Sequence, residues 1–573
     1  MPFQVSPGVN VSEIDLSTVV PAVSTTEGAI AGVFKWGPAN TRVLVDSEET
    51  LAARFGDPAP YANGDLFNVE TFFSAANFLA YGNKLYVTRV LDSSSKNAAS
   101  GGNEVLIENE DALADASIPS NADFVARYPG ALGNSLKVSV CTSTAAYSAN
   151  LGSAITISNG SKVATTGSDV SATLQAGDKV YFGNSTIGFY NNEVASVNST
   201  AIVLEDTYTG STDLSSFAVN ANGQVATVEK RWGDWDLVRS APGTSTFVSN
   251  KGGASDEVHV VIKDEDGDIT GTKGTILEVF EGVSRATDAK TESGETNYWR
   301  NVIEKSSNWV YATADTSGIA VDTTAATSAV GDVGPAATVA VYDSLSDGAD
   351  SAAEGSIALG KVTAGYDLYS SAEDVDVSLI LQGKAIGGTH GAGLAKHLRD
   401  NIAESRKDCV VFISPDKDDV VNNAGNEAAD TKEFRDDITN SSYVFMDSGY
   451  KYQYDKYADQ YRWIPLNADI AGLAVNTDEL RDAWFSPAGY NRGQIKNLVK
   501  LAYNPKKGAR DLLYQADINP VVTFPGQGTI LFGDKTLLGK PSAFDRINVR
   551  RLFIVLEKAI STASKFTLFE FND

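Results

Sequence analysis

The chain has 573 residues, a formal net charge of −27 and 42% hydrophobic residues, which predicts several domains with cores of their own and argues against nucleic acid as the main partner. Its two cysteines and three histidines provide neither a disulfide framework nor a recognisable zinc-binding spacing. No apolar run is long enough for a membrane span, so we expect no membrane insertion.

The first twenty residues predict an extended arm. Pro7 and Gly8 favour a turn, and Val9, Val11 and Ile14 form a short apolar stretch without a partner strand at hairpin distance. A strand with an unfilled edge usually pairs with another strand, in its own chain or in another copy. We therefore predict that residues 1–20 are a linking arm.

Strand and helix patterns alternate on both sides of a long insertion. EGAIAGVFKWGPA and KLYVTRVL predict strands and NVETFFSAANFLAYGN a helix; later, DVDVSLILQG, DCVVFISP and SSYVFMDSG predict strands, and GLAKHLRDNIAESR and TKEFRDDIT helices. This alternation implies right-handed crossovers. We expect 21–92 and 366–484 to form one discontinuous α/β middle domain with a mainly parallel sheet.

The stretch from about 93 to 365 is rich in Ser, Thr, Gly and Asp and contains short alternating segments such as LKVSVCTS, DKVYFG, STAIVLED and DEVHVVIKD. This pattern predicts β-rich, barrel-like or sandwich-like inserted domains. We assign 93–142 together with 229–365 to an inserted domain, and 143–228 to an outer β-rich insert.

Residues 485–573 predict an α+β C-terminal domain, so the whole chain is expected to be an α+β multidomain protein. GQIKNLVKLAYN, ARDLLYQA and NVRRLFIVLEKAISTASKF predict helices, and NPVVTF and TILFG predict strands. This segment carries 13 Lys+Arg and 7 Asp+Glu, a net of +6, whereas the rest of the chain carries −33. The asymmetry reflects either chance surface variation or two surfaces with different partners.

Candidate sites for chemistry are weak. Counted from Asp264, a calcium-binding loop would need Gly and Glu where the sequence has Ile269 and Thr275, so Asp266-Gly267 is interpreted as a hairpin turn. GGTHGAG (387–393) lies between a strand and a helix, where doubly wound folds bind phosphate, but it matches no nucleotide-binding motif. His390 and His397 are interpreted as structural. We expect no enzyme activity, no cofactor and no metal, with a nucleotide-binding enzyme as the alternative.

Two further patterns leave alternatives open. YKYQYDKYADQYRW (450–463) is typical of a nucleic-acid platform or of a packed or interfacial aromatic stretch, and the acidic chain favours the second. Arg546, Arg550 and Arg551 form the densest basic cluster, either a solvated helix face or a contact with an acidic partner.

Several segments resemble the contractile tail-sheath family of bacteriophages, of the type found in T4-like myoviruses. SPGVNVSEID is similar to the family's PGV-x-V-x-E-x-D start, and ARYPGALGNSLKV to its Tyr-Pro-Gly turn. The most specific block is DAWFSPAGYNRGQIKN (482–497), supported by YQADINPV (514–521) and PSAFDRINVRRLF (541–553). A sheath of a related contractile injection system, such as an R-type bacteriocin or a type VI-like device, is the nearest alternative.

The resemblance implies a structural subunit that forms stacked hexameric rings around a tail tube and contracts to drive the tube through the host envelope. It implies self-association and contacts with tail tube, baseplate and tail terminator proteins, in the virion after assembly in the host cytoplasm. On this chain it implies an intersubunit arm and a basic tube-facing surface. The arm residues are Val9, Val11, Glu13 and Ile14, and the basic residues are Arg492, Arg546, Arg550 and Arg551.

Family members continue beyond the segment that resembles KFTLFEFND. We therefore expect the C-terminal domain to be incomplete in this sequence, and this chain alone to assemble poorly.

Overall fold

The computed structural model describes residues 25–59, 66–102, 104–153, 155–184, 188–209, 227–313, 338–386, 392–565 and 569. The chain divides into two compact units. Unit 1 comprises Met1–Asp92 and Ala352–Asp573, and unit 2 comprises Ser93–Ser351. No helix among the described residues combines the length and apolar character that crossing a membrane requires.

The first segment of unit 1 contains three strands and two helices. The strands and helices are β1 (Gly28–Gly32), β2 (Val43–Val45), α1 (Glu48–Phe55), α2 (Val69–Leu79) and β3 (Leu85–Arg89). Every residue of β1 is buried, as expected of an apolar run in a central strand. Helix α1 begins after Ser47, whose hydroxyl accepts a hydrogen bond from the Thr50 N–H at 3.2 Å, which satisfies one free amide of the first turn.

Unit 2 is built mainly of short strands. Its strands and helices are β4 (Phe124–Ala126), β5 (Leu136–Cys141), α3 (Thr144–Tyr147), β6 (Ser148–Asn150), β7 (Ile155–Thr156), β8 (Val163–Thr166), β9 (Lys179–Asn184), β10 (Gly188–Val197), β11 (Ala201–Leu204), β12 (Thr227–Arg231), α4 (Thr246–Asn250), β13 (Glu257–Asp264), β14 (Thr275–Ser284), α5 (Trp299–Ser306), β15 (Val310–Ala312) and β16 (Val341–Ser344).

The strands of unit 2 form antiparallel sheets of seven, four and two strands, ordered β6-β12-β9-β10-β11-β8-β7, β14-β13-β5-β16 and β15-β4. In β11, buried and half-buried residues alternate, which is the pattern of a strand with one face on a core. The expected β-rich character is present. The barrel-like alternative is corrected, because β6 and β7 end the described seven-stranded sheet without pairing with each other.

The second segment of unit 1 carries the remaining strands and helices. These are α6 (Leu359–Asp367), β17 (Leu379–Leu381), α7 (Ala392–His397), a π-helix (Leu398–Ala403), α8 (Glu404–Arg406), β18 (Val410–Ile413), α9 (Lys417–Val420), α10 (Glu427–Asp436), β19 (Val444–Met446), β20 (Tyr450–Asp455), β21 (Gln460–Pro465), α11 (Asn467–Leu480), β22 (Lys500–Leu501), α12 (Lys507–Gln515), β23 (Val521–Phe524), β24 (Gly528–Leu531) and α13 (Ile547–Lys565).

A six-stranded sheet, ordered β19-β18-β17-β1-β3-β2, forms the centre of unit 1. All neighbouring strands are parallel except β2 and β3. Strands from both sides of the insertion pair directly, with Gly28 opposite Leu379. The alternating strand and helix patterns therefore predicted the parallel sheet correctly, and unit 1 is completed only when its second segment is present.

One predicted helix is not a helix. GQIKNLVKLAYN spaces its apolar residues as a helix would, but the structure shows an irregular segment there, with a bridge at Gln494 and the short strand β22. The Ile495 N–H donates to the Thr529 carbonyl at 3.0 Å, and the Val499 N–H donates to the Tyr452 carbonyl at 2.8 Å. Pairing with two different hairpins therefore overrides the local helical pattern.

Candidate functional site

Helix α13 carries the basic cluster predicted from the sequence, and it runs past the residues that lead into three strands of unit 1. The amino ends of parallel strands lie at one edge of a sheet, so α13 binds the edge opposite to the usual ligand-binding crevice. The side-chain contacts are Arg550 with Ser442 before β19, Arg551 with Thr25 before β1, and Lys558 with Ser378 before β17.

Arg550 is buried against aromatic rings. Its guanidinium carbon lies 4.2 Å from the centre of the Tyr443 ring and 4.1 Å from that of Phe544. Its Nη2 donates to the Ser442 hydroxyl at 2.7 Å. With 7% of its surface exposed, Arg550 holds α13 on the sheet through cation–π and hydrogen-bond contacts.

Arg551 forms a two-pronged ion pair with Asp478 of α11. Its Nη1 and Nη2 lie 2.7 and 2.5 Å from the two carboxylate oxygens, and 4% of the residue is exposed. The predicted exposed position of Arg550 and Arg551 is therefore corrected, because both guanidinium groups are buried within unit 1. Tube-facing charge stays a prediction only for the two remaining arginines.

Arg492 and Arg546 are both partly exposed. Arg546 has 41% of its side chain exposed and donates to Asp534 at 2.5 Å and to the Tyr514 hydroxyl at 2.6 Å. Arg492 donates to the Ser486 carbonyl at 2.8 Å. Both are held in place by neighbours while part of each residue stays accessible to a partner.

Large hydrophobic residues are exposed mainly near the C-terminal end of unit 1. Eleven of the nineteen exposed large hydrophobic residues in the described part of the chain lie from Leu480 onward. Tyr490 and Phe532, 54% and 41% exposed, pack around Phe524 with ring centres 5.8 and 5.3 Å from it. Tyr490, Phe524 and Phe532 therefore form one partly exposed aromatic cluster, the kind of apolar patch that a partner can cover.

The β23–β24 hairpin lies beside these rings, and the described contacts at the outer edge of β23 are made by side chains. Next to Thr523, the Asn504 side chain accepts from the Thr523 N–H at 3.0 Å and donates to its carbonyl at 3.3 Å. These are the two bonds that the peptide of an added strand would make. Among the described residues, β24 is the only strand paired with β23.

The carboxyl ends of β17 and β18 would be the ligand-binding edge of a doubly wound enzyme. There, Asn467 accepts from the Gly383 N–H at 3.0 Å and donates to the Gly383 carbonyl at 2.8 Å. The Ser414 hydroxyl donates to Asp447 at 2.7 Å, and burial raises the pKa of Asp447 to about 8. These groups bind one another, so they do not favour the nucleotide-binding alternative.

The other predicted sites fall in three groups. The arm residues Val9, Val11, Glu13 and Ile14, together with Gly387–Gly391 and His390, lie outside the described residues. His397 is structural, as interpreted, with its Nε2 2.7 Å from the Asp367 carboxylate. Among the described residues, no group of three or more His, Cys, Asp or Glu side chains is arranged to bind a metal ion.

The aromatic stretch and the acidic loop also take structural positions. Residues 450–463 form the β20–β21 hairpin, where the Tyr452 ring packs 4.6 Å from that of Trp463. Tyr454 and Tyr461 are 45% and 50% exposed, so the rings pack on one another at the surface rather than in the core. In the loop after β13, the Asp264 carboxylate accepts from the N–H groups of Gly267 and Thr270 at 3.0 and 2.7 Å. Asp264 therefore stabilises the β13–β14 hairpin loop. The hairpin was predicted correctly, but the predicted two-residue turn at Asp266-Gly267 is corrected, because the loop extends from 265 to 274 before β14 begins at Thr275.

Comparison with known proteins adds a family to this architecture. Residues 28–90 match the tail sheath protein Gp18 domain III N-terminal region, and residues 389–537 match the phage tail sheath protein central domain. The tail sheath protein of Vibrio phage KVP40 is 31% identical, with 99% of this chain and 88% of the relative covered. The tail sheath protein of Enterobacteria phage T4 is also 31% identical, covering 99% and 87%.

Among solved structures, the sheath tail protein of Listeria innocua matches 96% of this chain and 79% of its own, at 10% identity and a TM-score of 0.45.

The sequence matches define a structural component of a contractile phage tail. This identity extends over nearly the whole chain. It therefore includes the family-like blocks 514–521, which leads into β23, and 541–553, which leads into α13. The chain belongs to the tail sheath protein family.

Proposed function

We propose that this chain polymerises as stacked hexameric rings around a tail tube, and that the rings contract to drive the tube through the host envelope. The observation that carries the proposal is the exposed apolar surface from Leu480 onward, in a family of tail sheath proteins. A subunit buried on several sides by copies of itself needs such a surface. Contraction requires only two packings of unequal free energy and no covalent chemistry.

The proposed link between copies is strand addition. Residues 1–20, with Val9, Val11, Glu13 and Ile14, supply the strand, and the outer edge of β23 in another copy accepts it. Asn504 occupies the bonding positions of that edge at Thr523, so an arriving arm exchanges two side-chain bonds for two main-chain bonds. Side-chain bonds at an unpaired edge also discourage wrong strand pairing before assembly.

The proposed contact with the tube uses charge. Residues 485–573 carry a net of +6, and Arg492 and Arg546 are its partly accessible members among the four arginines first assigned to this role. Screened surface charge holds two cylinders together weakly, which permits sliding during contraction. Baseplate and tail terminator proteins are the proposed partners at the two ends, in a virion assembled in the host cytoplasm.

The proposed domain division keeps the predicted parts: the arm, the discontinuous middle domain, the two inserted domains and the C-terminal tube-facing domain. The boundary predicted at 365 moves to 351, because residues from Ala352 onward, including Val362 of α6, pack in the core of unit 1. The described structure joins residues after 485 to the core of the middle domain through Leu513, Val521 and Ile547. The last boundary is therefore proposed as a functional division within unit 1 rather than a separate core.

Electron microscopy of the purified full-length chain tests the proposal. In keeping with the poor assembly expected from the sequence, we expect this chain to form only short ring-shaped or tubular polymers, most readily on added tail tubes. Deletion of residues 1–20 should abolish these polymers while the melting temperature stays unchanged. Stable monomers at all concentrations, with and without tail tubes, would contradict it.

The charge argument has its own test. Arg492→Glu combined with Arg546→Glu is expected to weaken co-sedimentation with tail tubes more at low salt than at high salt. Arg239→Glu in unit 2, where the arginine side chain is 94% exposed, is the matched control and should bind tubes normally. Equal binding by both variants would remove the electrostatic contact.

A further inference from the structure

The point at which the arm joins the body of unit 1 is held by side chains. Thr25, three residues before β1, donates from its hydroxyl to Asp478 at 2.6 Å. Its carbonyl accepts from Arg551 at 3.4 Å. Two residues on, the Glu27 carbonyl accepts from the N–H groups of Ser378 and Leu379 at 3.0 and 3.1 Å. The backbone is thus fixed from Thr25 onward.

The pair that binds Thr25 is itself rigid. Arg551 and Asp478 make two hydrogen bonds of 2.7 and 2.5 Å, and their side chains are 4% and 7% exposed. Arg551 also lies 3.5 Å from the carbonyls of Ala474 and Ala483. A guanidinium that bonds both carboxylate oxygens is fixed in orientation as well as in position. Thr25 therefore bonds to a group that cannot turn away.

The other cationic residues of α13 have different tasks. Arg550 bonds Ser442 and Tyr443, and Lys558 bonds Asp376 at 2.6 Å. The hydrogen bonds described for Arg550 and Lys558 do not include one to Thr25. Of these three residues, Arg551 is the one that joins the helix to the start of the arm.

We infer that the Arg551–Asp478 pair positions the root of the arm, so that the chain before Thr25 starts from a fixed point on unit 1. The inference rests on the proposed strand addition and deepens it. An arm with a fixed root searches a smaller volume for the edge of another copy, which raises its effective concentration there. Tension on the arm passes through Thr25 to α11 and α13, in addition to β1.

The test compares neighbouring arginines in the full chain. Thr25→Val removes the hydroxyl with little change of volume, and Arg551→Lys keeps the charge but not the two-pronged bond. Arg550→Lys is the matched control, one residue away and equally buried. Glutamyl endopeptidase cleaves after Glu27 only when the root detaches, because the Glu27 carbonyl is bonded to β17. Mass spectrometry counts the product that begins at Gly28.

We expect Thr25→Val and Arg551→Lys to accelerate this cleavage roughly tenfold at low protease concentration, with Arg550→Lys close to the wild type. The same two variants should polymerise more slowly than Arg550→Lys at matched melting temperature. Unchanged cleavage in Thr25→Val, or equal acceleration in all three variants, would overturn the inference. Cleavage is measured on unpolymerised chain, so a wild type that forms no polymer would contradict the proposed function and leave this test intact.

Discussion

Unit 1 and unit 2 differ in how much apolar surface each leaves exposed. Among the described residues, fourteen large hydrophobic side chains are exposed in unit 1 and five in unit 2. Strand β11 of unit 2 alternates half-buried and buried residues, whereas the strands β17, β18 and β19 of unit 1 are buried throughout. The excess in unit 1 comes from the segment after Leu480. The parallel-sheet unit is therefore the one to which the proposed contacts with other copies are assigned, and unit 2 serves as the comparison.

The largest expected effect is the loss of stability when a buried ion pair is broken in one unit or in the other. Lys451 lies 2.9 Å from Asp469 in unit 1, and Lys230 lies 3.8 Å from Asp178 in unit 2, with all four side chains 0–1% exposed. Lys451→Met should destabilise unit 1 by about 3–5 kcal/mol, because it leaves a carboxylate buried without its partner. In calorimetry, Lys451→Met should lower one transition and Lys230→Met the other.

The control for this prediction is Lys456→Met, which removes a more exposed pair with Glu48 and should cost about 0–1 kcal/mol. A single transition that shifts equally in both buried-pair variants would mean that the units unfold together.

A smaller effect concerns pH and unit 1. Burial raises the pKa of Asp447 to about 8, so the folded state holds this proton across a range where the unfolded state has lost it. The contribution of Asp447 to the free energy of unfolding is complete below about pH 4. It is lost as the pH rises towards 8, at a slope of at most about 1.4 kcal/mol per pH unit. Denaturant unfolding of Asp447→Asn between pH 5 and 8 should show a weaker fall than the wild type. Parallel curves for the two proteins would contradict it.

The smallest effect on stability, with a clear effect on association, is expected at exposed aromatic residues. Tyr490→Ser in unit 1 and Phe189→Ser in unit 2 replace rings that are 54% and 50% exposed. Both should leave the free energy of unfolding within about 0.5 kcal/mol of the wild type. Sedimentation should show weaker self-association only for Tyr490→Ser. Equal weakening by both variants would assign the association surface to unit 2 as well.

The parallel sheet could be predicted because its strands are short apolar runs between helical patterns. VVFI at β18 and LIL at β17 have no polar residue to suggest an exposed face. The conformation of 493–504 could not be predicted in this way. Ile495 and Val499 have helical spacing, but their N–H groups donate to the carbonyls of Thr529 and Tyr452. Those partners are distant in the chain, and no local sequence pattern predicts them.

The basic cluster shows the same limit at the candidate site. A run such as NVRRLF predicts charge on a helix, but it does not say which partners that charge meets. Arg551 bonds Asp478 and Thr25, which lie 73 and 526 residues away. Burial of Arg550 and Arg551 follows from this long-range pairing. The family-like blocks around these residues indicated the right protein class. They did not show that two of the four arginines assigned to the tube contact, Arg550 and Arg551, are buried.

The pairing of β1 with β17 also has a consequence for synthesis on the ribosome. Gly28 and Leu379 are partners in the sheet, although about 350 residues separate them in the chain. At about 5–20 residues per second, translation leaves one edge of β1 without its neighbour for roughly 20–70 seconds. Nascent chains on one messenger RNA are close together during that interval, and GAIAG is an apolar strand with an open edge. Chaperone protection, or early folding of unit 2 as it emerges, would then decide how much of the newly made protein escapes aggregation.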